Sequence, residues 1–181
     1  MLIQPDRSSL LIIDIQAKLA PAIHGADLLI SNSRWLVEIA QKLSIPTLVT
    51  EQYPSGIGST IPELAELISA EQTVEKIYFS SVADPDANLA LEAHCKEQVV
   101  IIGTESHVCV LQTAINLKEI GKEVFIVADC VGSRAQADRQ LALDRMRQLG
   151  IHIVSKEMVV FEWLQKAGTD QFREISKNYL R

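Results

Sequence analysis

Three residues with reactive side chains lie in or shortly after short apolar runs of the chain. Asp14 interrupts the first run, Lys76 lies within the third, and Cys109 comes shortly after the fourth. A carboxylate can accept a proton, an ammonium group can stabilise negative charge, and a thiol can attack a carbonyl carbon, so these types together suit nucleophilic catalysis. Each also has a structural alternative: a turn or capping aspartate, an edge-strand lysine pointing to solvent, and a buried cysteine.

The segment 103–110, Gly-Thr-Glu-Ser-His-Val-Cys-Val, holds the densest set of such residues. Its glycine ends an apolar run, and a helix is predicted to begin near His107, which puts Cys109 in the first helical turn. Free backbone N–H groups and the helix dipole at that position favour a thiolate and can also bind an oxyanion. His107 is a poor partner for Cys109, because residues two apart on a helix do not face each other.

Short β-branched runs alternate with amphipathic stretches along the whole chain. Strands are predicted at residues 9–15, 47–50, 73–79, 99–103, 123–128 and 152–155. Helices are predicted at residues 26–43, 61–68, 85–95, 107–120, 136–149 and 162–177, the last interrupted at Gly168. Strands that are apolar on nearly every residue are typical of a parallel sheet covered on both faces. The pattern therefore predicts an α/β fold, a three-layer α/β/α sandwich with a six-stranded, mainly parallel, Rossmann-like sheet.

Ligands of such sheets bind beyond the carboxyl ends of the strands. Asp14 lies near the end of the first predicted strand, Lys76 lies within the third and Cys109 follows the fourth, so this topology predicts that they share one pocket. The strongest single expectation from the pattern is a site at that edge of the sheet.

Composition restricts the class of protein further. The 181 residues, 48% hydrophobic and 22% charged, fit a single globular domain spanning residues 1–181. The net charge of −6 disfavours nucleic acid as a partner, and no apolar run approaches the roughly 20 residues that cross a membrane. The three cysteines, in spacings unlike CxxC, and the lack of a signal-peptide pattern predict a soluble, cytoplasmic protein. No metal-ligand spacing and no dinucleotide fingerprint is present, so no metal or cofactor is expected.

From about residue 8 to about residue 160, the chain resembles the isochorismatase-like cysteine hydrolases, a superfamily that includes nicotinamidases and N-carbamoylsarcosine amidohydrolases. The resemblance is carried by residues 11–16, 75–80, 103–110, 113–114, 127–131 and 133–134. It implies a catalytic triad of Asp14, Lys76 and Cys109, and an oxyanion hole formed by the backbone N–H groups of Glu105 and Cys109. It also implies a non-proline cis peptide bond between Thr104 and Glu105.

Departures from the family pattern narrow the expected substrate. Nicotinamidases of this superfamily carry an Asp and two His after the second strand to hold a metal, whereas this chain has Glu-Gln-Tyr-Pro-Ser at residues 51–55. Isochorismatases cleave a vinyl ether without a cysteine nucleophile, so the presence of Cys109 argues against isochorismate as the substrate. This segment is most similar to the isochorismatase-domain-containing subgroup, and we expect Gln16, Gln52 and Tyr53 to bind the substrate.

The expected function is a cysteine hydrolase that cleaves a small amide or a related C–N bond through a thioester intermediate. The expected partner is a small-molecule substrate, and the resemblance implies a homo-oligomer, a dimer or larger. Two alternatives stay open: a non-catalytic binding protein built on the same fold, and a hydrolase of isochorismate-like or nucleic-acid substrates.

Overall fold

Six parallel strands form one sheet in the computed structural model, which describes residues 1–180. The strand order is β3-β2-β1-β4-β5-β6, and each of the neighbouring pairs is parallel. The strands are β1 (Ser8–Ile13), β2 (Thr47–Gln52), β3 (Thr73–Lys76), β4 (Gln98–Gly103), β5 (Glu123–Val131) and β6 (His152–Val154). The chain adds β2 and β3 on one side of β1 and then adds β4, β5 and β6 on the other side, so the strand order reverses between β1 and β4. Ligands of such sheets bind beyond the carboxyl ends of the strands at this point.

Helices cover both faces of the sheet, which confirms the predicted three-layer α/β/α architecture. They are α1 (Ala26–Lys42), α2 (Pro54–Ile57), α3 (Pro62–Ala65), α4 (Pro85–His94), α5 (Leu111–Glu119), α6 (Gln136–Gln148), α7 (Lys156–Leu164) and α8 (Asp170–Tyr179). Side chains of α1, α3, α7 and α8 join the apolar cluster on one face, and those of α4, α5 and α6 join the cluster on the other. Within residues 1–180, no helix combines the length and the apolar character needed to cross a membrane.

The position of β1 in the interior of the sheet explains why its sequence is apolar on consecutive residues. Leu10 and Ile12 pack into one apolar cluster, while Leu11 and Ile13 pack into the other, and all four are fully buried. Burying one such side chain stabilises a fold by about 1.5–3 kcal/mol. β1 is therefore anchored on both faces, and the residue that follows it, Asp14, is held at the carboxyl edge of the sheet.

The third strand is shorter than the sequence predicts. The run 73–79 was expected to be one strand, but β3 ends at Lys76, and Ile77, Tyr78 and Phe79 are exposed. The backbone turns because the N–H groups of Ile77 and Tyr78 both donate to Oδ2 of Asp84, at 2.9 and 3.4 Å. Asp84 also caps the N-terminus of α4, so one carboxylate ends β3 and starts the next helix.

Other differences concern helix boundaries. The predicted helix at 107–120 begins as a single π-helical turn, Ser106–Val110, that continues into α5. The predicted C-terminal helical region is two helices, α7 and α8, and α7 begins at Lys156. The segment between Tyr53 and Pro62, which joins β2 to α3, contains the short helix α2.

Gly103 allows β4 to lie close to the end of β1. Its φ angle is 154°, and a Cβ atom there would lie 2.3 Å from the carbonyl oxygen of Ile13 and 2.9 Å from the Cβ of Ile13. Because Asp14 follows Ile13 directly, any side chain at position 103 would displace the backbone that carries the carboxylate.

We therefore expect Gly103→Ala to destabilise the protein by about 3 kcal/mol or more, through overpacking and backbone strain. The matched control is Gly121→Ala, at a positive φ of 88° with no atom within 4 Å of the added Cβ, which should cost only about 1 kcal/mol. Thermal or urea unfolding of both variants measures the difference. Equal destabilisation of the two would contradict this account of Gly103.

Candidate active site

Asp14 lies beyond the last residue of β1 in a left-handed backbone conformation, with φ 54°. Its side chain is fully buried, and both carboxylate oxygens accept hydrogen bonds. Oδ1 accepts from the hydroxyl of Thr50 at 2.7 Å, and Oδ2 accepts from Nζ of Lys76 at 2.8 Å. The hydroxyl of Thr104 donates to the Asp14 carbonyl at 2.6 Å, which fixes the backbone as well. Neighbouring strands thus orient the carboxylate from both sides.

Lys76 is at the end of the edge strand β3, yet its side chain points into the covered face and is fully buried. Besides Asp14, its ammonium group contacts Oε1 of Gln52 at 2.6 Å and the carbonyl oxygens of Phe79 and Tyr78 at 3.2 and 3.4 Å. An ammonium group has three N–H donors, so every donor has an acceptor within the protein. The solvent-exposed alternative for this lysine is wrong, and Asp14 and Lys76 form a buried ion pair.

Cys109 lies in the π-helical turn after β4, and only 3% of the residue is exposed. Burial raises the pKa of its thiol above the usual range, and the carboxylate of Asp14 raises it further, both as a negative charge and as a hydrogen-bond acceptor. Lys76 acts in the opposite direction but does not cancel these effects. The direction of this shift is opposite to the one that a helix start alone favours, so burial and the Asp14 carboxylate favour the neutral thiol at this position.

The turn between β4 and Cys109 differs from the family expectation. No cis peptide bond occurs within residues 1–180, so the expected cis bond between Thr104 and Glu105 is wrong. The chain reverses instead through Glu105 in a left-handed conformation, with φ 53° and ψ 57°. The N–H of Ser106 donates to the Gly132 carbonyl at 2.8 Å, whereas the N–H of Glu105 has no acceptor among the described residues. A free backbone donor thus lies on the turn that leads to the thiol.

The carboxylate of Glu105 belongs to a polar cluster that the sequence reasoning did not identify as part of the site. It accepts from Nε of Arg134 at 3.0 Å, and Nε2 of His107 lies 3.5 Å from its other oxygen. Nδ1 of His107 lies 2.9 Å from the hydroxyl of Ser133. His107 is therefore engaged with Glu105 and Ser133. The motif Ser133-Arg134, noted among the residues that carry the family resemblance, was the available signal for this cluster.

The three residues expected to bind substrate differ in their surroundings. The amide of Gln16 donates to the carbonyls of Gln52 and Gly58, at 3.0 and 2.5 Å, and accepts from the N–H of Gln52 at 2.8 Å. It thereby fixes the end of β2 and the chain after α2. Gln52 contacts Lys76, as described above. Tyr53 is half exposed in a left-handed conformation, and its ring lies over Gly56 at the surface.

The segment where nicotinamidases carry metal ligands has a different arrangement here. Oε1 of Glu51 accepts from the N–H and the hydroxyl of Thr60, at 2.6 and 2.7 Å. In the part of the chain that the structure describes, no group of three or more His, Cys, Asp or Glu side chains could hold a metal ion.

The other two cysteines lie in the apolar clusters. Burial raises the pKa of Cys95 to about 12 and also raises that of Cys130. A raised pKa is therefore common to all three thiols. Cys109 differs from them because the carboxylate beside it belongs to the buried Asp14–Lys76 pair.

Removal of one member of this pair should be costly. We expect Lys76→Met to destabilise the protein by about 3–5 kcal/mol, because a buried carboxylate is left without its counter-ion. Lys42→Met is the matched control, since Lys42 pairs with Glu174 at 2.7 Å on the exposed surface, where ion pairs contribute little. Urea unfolding of both variants at pH 7 tests this, and a Lys76→Met protein as stable as the control would show that the pair is not a buried charge pair.

Comparison with known proteins agrees with this architecture. The family model described as the isochorismatase domain matches residues 8–158. Isochorismatase domain-containing protein 2A of Mus musculus is 36% identical over 176 residues, which cover 97% of this chain and 84% of the mouse protein. The solved structure of the MAR1 ribonuclease from Caenorhabditis elegans is 36% identical, has a TM-score of 0.91, and covers 100% of this chain and 93% of its own.

The YcaC protein has been solved from two bacteria. The Pseudomonas aeruginosa protein, which contains hexane-2,5-diol and covalent acrylamide, is 25% identical with a TM-score of 0.91, over 99% of this chain and 92% of its own. The Escherichia coli protein, described as an octameric hydrolase of unknown specificity, is 24% identical with a TM-score of 0.91, over 99% of this chain and 91% of its own. The matched domain, the identities and the shared fold together show that the chain belongs to the isochorismatase domain family.

Proposed function

We propose that this protein is a cysteine hydrolase that cleaves a small amide, or a related C–N bond, through a thioester on Cys109. The observation that carries the proposal is the position of the Asp14 carboxylate. It is 2.8 Å from the Lys76 ammonium, and its negative charge contributes to the raised pKa of the Cys109 thiol. A buried carboxylate next to a neutral thiol is suited to act as a general base.

In the acylation half-reaction, Asp14 accepts the thiol proton as the sulfur of Cys109 attacks the carbonyl carbon. The resulting oxyanion lies near the backbone N–H groups of Glu105 and Cys109, and one such donor contributes on the order of 3 kcal/mol to the transition state. The C–N bond then breaks, and the protonated Asp14 gives its proton to the leaving amine. Lys76 remains protonated throughout and stabilises the carboxylate in the dry site.

In the deacylation half-reaction, a water molecule takes the position of the amine. Asp14 accepts a proton from this water as the oxygen of the water attacks the thioester carbon. Collapse of the second tetrahedral intermediate expels the sulfur of Cys109, which regains a proton from Asp14, and releases the carboxylic acid. Each proton leaves and returns through the same carboxylate, so the cycle needs no further acid or base.

The substrate that fits best is small and uncharged. Asp14 and Cys109 are almost completely buried, and the nearest additional charge is the carboxylate of Glu105. Together with the net charge of −6, this arrangement disfavours a polyanion. Gln16 and Gln52 are already hydrogen-bonded to the protein, so of the three residues expected to bind substrate, the exposed Tyr53 is the best candidate.

Two features of the relatives support this proposal. The YcaC structure with covalent acrylamide is a case in which a protein of this fold forms a covalent bond to a small electrophile, which supports a reactive nucleophile but not a particular substrate. The octameric state described for the Escherichia coli protein supports the inference that this chain also forms a homo-oligomer.

Replacement of the nucleophile should abolish hydrolysis. On a panel of small amides, we expect Cys109→Ala to lower turnover by at least about 10³-fold, because the thioester can no longer form. Cys95→Ala, which removes another buried thiol far from Asp14, should retain activity. Mass spectrometry of the wild-type protein quenched in acid should detect the acyl group on Cys109. Equal activity of the wild type and Cys109→Ala would favour the non-catalytic alternative.

The pH dependence of the thiol tests the assignment of Asp14. A thiolate forms only as the pH rises through the raised pKa of Cys109, so alkylation by iodoacetamide should accelerate continuously above pH 8. Asp14→Asn removes the charge that opposes the thiolate, so the midpoint should fall by about one pH unit or more. The same variant should lose amide hydrolysis. Mass spectrometry of the Cys109 peptide measures the rates, and an unchanged or higher midpoint would contradict the proposed contact.

RNA hydrolysis is the second candidate, because the 36% identical Caenorhabditis elegans protein is described as a ribonuclease. It requires a cationic surface for the phosphate backbone and therefore a binding affinity that falls steeply with salt. RNA cleavage that is unaffected in Cys109→Ala, together with salt-dependent RNA binding, would favour this candidate over amide hydrolysis.

A further inference from the structure

Strand β2 lies between the two strands that carry the buried ion pair. Thr50 of β2 is paired in register with Ile13, the residue before Asp14, and Gln52 is paired with Lys76. Thr50 and Gln52 are two residues apart, so their side chains point to the same face of the sheet. The hydroxyl of Thr50 contacts Asp14 at 2.7 Å, and the amide of Gln52 contacts Lys76 at 2.6 Å. One neutral group thus holds each member of the pair.

The amide of Gln52 is fixed at both ends. Its Oε1 accepts from Lys76, and its Nε2 donates to the carbonyl of Ile77 at 2.7 Å. The backbone of Gln52 is held by the side chain of Gln16, and the residue is only 7% exposed. Both ends of the amide are hydrogen-bonded within the protein. Such a group is suited to orient a neighbouring side chain, which here is Lys76.

We infer that Gln52 is a positioning residue, whose amide oxygen holds the Lys76 ammonium on Asp14. The inference rests on the proposed function, since it assigns Gln52 a task within that reaction. The role replaces the substrate contact expected from the sequence. It also explains why the amide is buried beside the ion pair, with its oxygen toward the cation.

Loss of the Gln52 amide would change the hydrogen bonds of the Lys76 ammonium group. The three shortest contacts of Lys76 are to Gln52, Asp14 and the Phe79 carbonyl. Without an acceptor at position 52, the ammonium loses its shortest contact, and Asp14 and the carbonyls of Phe79 and Tyr78 remain as its acceptors. The charged groups that act on Cys109 are Asp14, Lys76 and Glu105, so any movement of the ammonium changes the balance of charge at the thiol.

Two variants of similar size separate the possibilities. Gln52→Met replaces the amide oxygen by a thioether, which is only a weak acceptor, so the ammonium is free to follow the anion that forms at Cys109 and the alkylation midpoint falls by about one pH unit. Gln52→Glu holds the ammonium more strongly and adds a negative charge, so the midpoint rises by about one pH unit. The measurement is the rate of Cys109 alkylation by iodoacetamide, with all variants compared at the same pH below the midpoint, where a shift of one pH unit changes the rate about tenfold. Mass spectrometry of the intact full-length protein and of its Cys109 peptide follows the reaction.

The control is Gln98→Met. Gln98 is a fully buried glutamine at the amino end of β4, and its amide donates to Glu123 and to the Leu2 carbonyl. The substitution should lower the melting temperature and leave the midpoint unchanged. Shifts of opposite sign in the two Gln52 variants support the inference. No shift, or shifts of the same sign, would overturn it and leave Gln52 a purely structural residue. If Asp14→Asn moves the midpoint while neither Gln52 variant does, the proposed function survives and the positioning role fails.

Discussion

The buried ion pair between Asp14 and Lys76 is the interaction on which the rest of the site depends. Transfer of two such charges out of water costs several kcal/mol per ion, and their mutual attraction offsets this only when other hydrogen bonds complete both groups. Here the hydroxyl of Thr50, the amide of Gln52 and two backbone carbonyls do so. A pair of apolar side chains would stabilise the same space at least as well, so the pair is better explained by chemistry than by stability.

The geometry of the sheet explains why a lysine fills this role. β1 and β3 are separated by β2, and neighbouring strands lie about 4.8 Å apart, so the two backbones are roughly 10 Å apart. Asp14 is short and lies beyond its strand, which leaves most of that distance to its partner. The four-carbon chain of Lys76 reaches across β2, and its ammonium meets the carboxylate there. The turn at residues 77–79 then provides the carbonyl groups that complete the ammonium.

The sequence predicted the sheet because its signals are local and strong. The apolar run of β1 needs burial on both faces, and residues at the ends of parallel strands converge at one edge, so Asp14, Lys76 and the cysteine segment could be brought together without coordinates. The exposure of Ile77, Tyr78 and Phe79 could not be predicted, because three apolar residues after a strand resemble more strand. Their turn is set by Asp84, a contact visible only after folding. The positions of the Gln16 and Gln52 amides likewise depend on which strands are neighbours.

The protonation state of Cys109 was the least accessible property. A cysteine at a helix start predicts a stabilised thiolate, and that rule considers only the helix. In the folded protein, burial and the negative charge of Asp14 raise the pKa of the thiol, and the nearby ammonium does not offset them. A neutral thiol in such a site is protected from adventitious alkylation and oxidation, because the thiolate is the reactive species. In the proposed reaction, the thiol becomes a nucleophile when a carbonyl group is in place and the proton can pass to Asp14. On that proposal, the reactivity of the cysteine is conditional on a bound substrate, because the carboxylate is held by a cation and can still accept one proton.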